Sequence, residues 1–162
     1  MKKGTVLIIA VAVFVLFSVL SLAACGTKTF NIHNGKNIGQ AIKTIANTTG
    51  LEAITLNEIV PFEWEAVYSF SPYTPKQEME NIIGFKSKHI TETVSEGMTQ
   101  LIFVMGNKVV CNICGYSDNL GYSISLWSGD ERENYARVRY EDNVIFSVER
   151  KENVVVLSRL PN

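Results

Sequence analysis

The chain is short of the residues that most catalytic and metal sites are built from, and it has no surplus of either charge. Its 162 residues include 2 histidines and 3 cysteines, and 15 Lys and Arg stand against 16 Asp and Glu. Without a basic excess nothing draws it to nucleic acid. The basic side chains of the last third, Arg132, Arg137, Arg139, Arg150, Lys151 and Arg159, are interleaved with acids from Asp130 to Glu152, the pattern of a salted solvent face. A structural zinc site wants four ligands, and beyond the cysteines only His33 and His89 could contribute. The motifs G-x-S-x-G and H-E-x-x-H, the P-loop and the EF-hand are missing. Ser117-Asp118-Asn119 spells the SDN element of penicillin-recognising serine enzymes, but neither S-x-x-K nor K-T-G accompanies it, so nucleophile and activator are both lacking. No cofactor and no metal are expected.

What the chain does have is a long apolar run, Val6 to Ala24, interrupted only by Ser18 and Ser21. Its length alone would suit a membrane-spanning helix. Its flanks point elsewhere: Lys2 and Lys3 form a short positive region, the apolar run follows, and small residues end it, which is the layout of a cleavable secretory signal. Leu22-Ala23-Ala24-Cys25 resembles the lipobox of bacterial lipoproteins. That resemblance covers residues 1 to 25. It implies cleavage between Ala24 and Cys25, with a diacylglyceryl thioether on Cys25 as the new N-terminus. It also implies a cell-envelope location, with the domain outside the cytoplasm and the membrane as a partner. Burial of acyl chains contributes about 0.8 kcal/mol per methylene, so two chains hold without any spanning helix. Residues 25 to 36 then read as a tether, being polar, with two glycines and neither helical nor strand period.

Residues 37 to 162 suit a single domain. Ile38, Ala41, Ile42, Ile45 and Ala46 recur at helical spacing from Asn37, and Gly50 ends the pattern. From Phe62 to Ser71 the period becomes two, with Phe62, Trp64, Ala66, Tyr68 and Phe70 on one face, the signature of a half-buried strand. Thr74-Pro75-Lys76-Gln77 starts a short helix that carries Met79, Ile82 and Ile83 and stops at Gly84. Leu101 to Met105 and Lys108 to Val110 flank Gly106-Asn107, a hairpin signal. Gly121 to Trp127, Tyr135 to Tyr140, Val144 to Glu149 and Val154 to Arg159 follow at the spacing of strands. The expected fold is α+β: an antiparallel sheet of about six or seven strands, a meander in its C-terminal half, with two short helices packed on it.

Cys111-Asn112-Ile113-Cys114 is the sharpest chemical candidate, because C-x-x-C in an exported protein suggests a disulfide or redox pair. The flanks from Val109 to Tyr116 read as strand, however. Residues three apart on a strand face opposite ways, with Cα atoms about 10 Å apart against the roughly 7 Å a disulfide tolerates. The loop from Ser117 to Gly121 is a ligand candidate, with Asp118 and Asn119 in it and the aromatics Tyr116, Tyr122 and Trp127 around it, and Tyr73 beside Pro72 is a similar case. These readings favour a non-catalytic, lipid-anchored module that binds an envelope protein or small ligand. An extracytoplasmic enzyme or thiol redox protein using Cys111 and Cys114 or a carboxylate pair, and an inhibitor of an envelope enzyme, are the alternatives.

Overall fold

The computed structural model describes residues 26–128 and 133–161, with side chains from residue 34 onward. The apolar run, Ala24 and Cys25 lie outside the described residues. Contacts divide the chain into two units, Met1–Phe30 and Asn31–Asn162, and the sheets and the core belong to the second.

Helix α1 spans Gly26–Ala46. The expected helical stripe is present, with Ile38, Ile42 and Ile45 buried. The segment read as a tether is itself helical, which corrects that expectation. Its sequence has little helical period, but Asn34 is buried and its Nδ2 donates to the Val110 carbonyl at 2.9 Å, so tertiary contact holds the helix where local pattern is silent.

Among the described residues eight strands follow, in two sheets of four. The first sheet has the order β1 (Ala53–Thr55), β7 (Ile145–Lys151), β8 (Val154–Arg159), β5 (Tyr122–Ser125). The second has the order β4 (Lys108–Tyr116), β3 (Met98–Met105), β2 (Ala66–Phe70), β6 (Tyr135–Arg139). The α+β class stands, but the single six- or seven-stranded sheet does not. The meander fails as well: β6 leaves its neighbours to pair with β2, and β5 runs parallel to β8. Alternating hydrophobicity marks each strand and says nothing about its partner. Short helices α2 (Leu56–Ile59), α3 (Lys76–Ile83) and α4 (Ser117–Leu120) complete the fold. No helix among the described residues is long and apolar enough to cross a membrane.

Two cores follow from this arrangement. The central one joins Ile38, Ile42 and Ile45 of α1 to Leu101 and Phe103 of β3, Val138 of β6, Phe146 of β7 and Leu157 of β8. The outer one covers the far face of the second sheet, where Met79 of α3 and Ile90 pack on Tyr68, Phe70, Ile102 and Val104. Strand β2 is therefore buried on both faces along its whole length, not half-buried. It lies inside the sheet, with Val67 in the central core and Tyr68 in the outer one. The aromatic face divides accordingly. Phe62 and Trp64 precede the strand and meet Phe103 edge-on at 5.6 and 5.7 Å between ring centroids, while Tyr68 and Phe70 stack at 6.2 Å in the outer core.

Candidate functional site

The hairpin of β3 and β4 turns at Gly106, whose φ of 52° suits glycine, and its register shifts at Phe103 and Val104. The shift is a bulge with a structural consequence. Val109 pairs with Val104 and faces the outer core, whereas Cys111 pairs with Phe103 and faces the central one. Beyond the bulge the backbone alternates in a fixed sense. The Val104 carbonyl accepts from the Glu65 amide on the β2 side, so Phe103 turns its main-chain groups toward β4. Asn112 and Cys114, opposite Ile102 and Gln100, then direct theirs away from β3, over the free edge of the sheet.

Helix α1 passes close to this edge, with Gly35 and Gly39 at the crossing. A Cβ at Gly35 would meet the Cys111 Sγ at 3.9 Å, and one at Gly39 the Tyr122 ring at 3.6 Å. Asn34 satisfies the Val110 carbonyl at the bulge. At the other end α4 folds back, placing Leu120 at 3.4 Å from the Cβ position of Gly115. Between them a groove of about 490 Å3 stays open, lined by Lys36, Gly39, Gln40 and Lys43 from α1, by Asn112, Ile113 and Cys114 from β4, and by Asn119, Leu120 and Tyr122. A smaller, more enclosed hollow of about 290 Å3 shares Gly39, Lys43, Leu120 and Tyr122 and continues toward Arg150, Glu152 and Asn153.

The charge of the groove is one-sided. Lys36 and Lys43 are exposed on its rim, neither joins an ion pair among the described residues, and no acidic residue lines it. Of its lining, Cys114 and Tyr122 are shifted toward their neutral forms, and so is Cys111, which lies behind it on the central-core face. Desolvation pushes the Cys111 thiol up to about 12, and desolvation together with the nearby thiol lifts the Tyr122 hydroxyl to about 12. Partial burial also raises Cys114. Both thiols are free, one buried in the central core and the other half-buried on the opposite face of β4. Among the described residues no group of three or more His, Cys, Asp or Glu side chains is placed to hold a metal. What the groove offers a ligand is main-chain hydrogen bonding, the side-chain amides of Gln40 and Asn119, and two cations; the Asn112 side-chain amide is already engaged with the His89 carbonyl and the Thr91 hydroxyl.

The sequence candidates separate on this frame. Asn119 and Tyr122 line the groove, Tyr122 from a buried position. Asp118 lies in a neighbouring hollow of about 790 Å3 with Ser117, Lys151 and Glu152. Trp127 packs against the central core, Tyr116 is exposed at the end of β4, and Tyr73, exposed at a φ of 67°, sits on a turn whose amide donates to Thr93. Lys36, Gln40 and Lys43 were not legible as site residues, since they fall on the polar side of a helix whose near strand is remote in sequence; the glycines at 35 and 39, four apart on one helix face, were the available signal. No protein-family model, no curated protein and no solved structure matches the chain.

Proposed function

We propose that the chain is a lipid-anchored, non-catalytic binding module of the bacterial envelope, facing outside the cytoplasm, that holds its ligand in the groove between α1 and the free edge of β4. The anchor rests on the signal layout and on Leu22-Ala23-Ala24-Cys25. The binding role rests on the groove itself, where an unpaired strand edge, two rim lysines and a cluster of amides converge on about 490 Å3, a volume within the range of ligand sites. The chemistry of its buried groups supports holding over turnover, because thiols pushed upward are protonated near neutral pH and supply no nucleophile.

The reading is tested by the intact mass of the protein extracted from bacterial membranes, followed by assay of the groove. A mass equal to residues 25 to 162 plus acyl chains is expected. A mass that retains residues 1 to 24 contradicts the anchor, and turnover of an envelope substrate abolished by a single polar substitution contradicts the binding role.

A further inference from the structure

The free edge of β4 carries more information than its openness. Asn112 and Cys114 each turn an N–H and a C=O toward the groove, two donors and two acceptors spaced as a strand spaces them. At one end the edge is already closed, where Asn34 takes the Val110 carbonyl, and beyond Cys114 Leu120 packs on the Cβ position of Gly115. The unpaired stretch is thus bounded at its Val110 end, unlike a bare sheet edge, which would invite aggregation. Over it stand Lys36 and Lys43, two helical turns apart on α1, with no acid in the lining to neutralise them.

We infer that the groove takes a short, extended, acidic peptide segment of a partner protein, which adds to the second sheet as a strand beside β4. Main-chain hydrogen bonds from Asn112 and Cys114 hold the peptide, and Lys36 and Lys43 select carboxylate side chains on it. Gly39, Ile113, Leu120 and Tyr122 are in its lining, so a peptide side chain directed inward meets apolar surface. The inference rests on the binding reading above and names its ligand class.

The test uses the full chain in detergent, immobilised and exposed to pools of synthetic octapeptides, each pool fixed as acidic, basic or apolar at alternate positions. The acidic pools should be retained. Their best member should lose at least about tenfold in affinity to the Lys36→Glu, Lys43→Glu double variant, whose exposed substitutions leave the thermal midpoint unchanged, because like charges then face one another. It should lose as much when alternate backbone amides of the peptide are N-methylated, a change that leaves the protein untouched and removes only strand pairing. Retention of basic or apolar pools instead overturns the acidic-peptide inference while the groove remains a binding site. Acidic peptides that bind equally well when N-methylated overturn strand addition. Retention of no pool overturns the inference, and if the groove also fails to bind small envelope ligands the binding reading falls with it.

Discussion

Burial sets the chemistry of each thiol separately. Cys111 lies in the central core with its thiol pushed up to about 12, so at pH 8 it is protonated and shielded, while half-buried Cys114 is raised less and has a path to solvent. Alkylation of the native protein at pH 8 should therefore modify Cys114 first and leave Cys111 until denaturant is added. Mass mapping of the labelled peptides checks this, and a pair that labels only after reduction would show a disulfide and overturn the strand geometry. Gly39 makes a second residue-level case. A Cβ there sits at an ordinary 3.6 Å from the Tyr122 ring, so Gly39→Ala gains helix propensity without a clash and should stabilise by up to about 1 kcal/mol. Gly39→Leu drives a branched side chain into that ring and should lower the thermal midpoint and fill the groove. Asp142 is one source of acid-side sensitivity, beside Glu58, whose carboxyl the Thr55 amide and hydroxyl also hold down. The Arg139 amide, followed by its guanidinium, holds the Asp142 carboxyl below its ordinary 3.8. A depressed carboxyl contributes stability above its unfolded value and loses it as the pH falls through the folded one, so the contribution of Asp142 should fade below about pH 4. Asp142→Asn should flatten that part of the stability curve, and a curve of unchanged slope would remove Asp142 as its source.

Helix α1 shows how far an element can be read from its own sequence. Ile38, Ile42 and Ile45 announce its buried stripe, but the burial of Asn34 and the anchoring of its C-terminal end depend on residues far away in the chain. At its end the Arg150 guanidinium on β7 donates to the carbonyls of Ile45, Ala46, Thr48 and Leu51 at 2.7–3.3 Å, satisfying groups that the helix leaves open. Arg150→Ala should cost about 1 kcal/mol and lower the thermal midpoint by roughly 4 °C, with Arg150→Lys recovering little because a point charge cannot serve four acceptors. Calorimetry of the three proteins decides it, and an Ala variant as stable as the parent would show that the cap is dispensable. Strands were the more legible elements. Those ending near Met105, Tyr140 and Arg159 each showed a two-residue period or a turn signal, whereas β1, with three residues, and α2 and α4, with four each, are too short to show any. The edge of β4 was half legible: its strand character followed from its flanks, but the bulge that orients Asn112 and Cys114 follows from pairing with β3 and from Asn34 on α1.

At the scale of the molecule, the difference between expectation and structure lies in connections. A chain of regularly spaced strands is compatible with a meander, yet here β6 crosses to the second sheet and β5 joins β8 in parallel, so one run of sequence feeds two sheets and encloses a central core between them. Phe103 sits fully buried in that core against Phe62 and Trp64, and Phe103→Ala should destabilise by about 3–5 kcal/mol, enough to loosen the whole unit. The groove is a product of the same crossing of distant segments, since it needs α1, β4 and α4 at once. Its use as a binding site depends on an accessible strand edge. Residue-resolved hydrogen exchange of the full chain in detergent measures it directly. The amides of Cys111 and Ile113, paired with β3, should be strongly protected, those of Asn112 and Cys114 should exchange quickly, and a bound acidic peptide should slow both. Strong protection of Asn112 and Cys114 in the free protein would mean that the edge is already paired, and would contradict the groove as a site of strand addition.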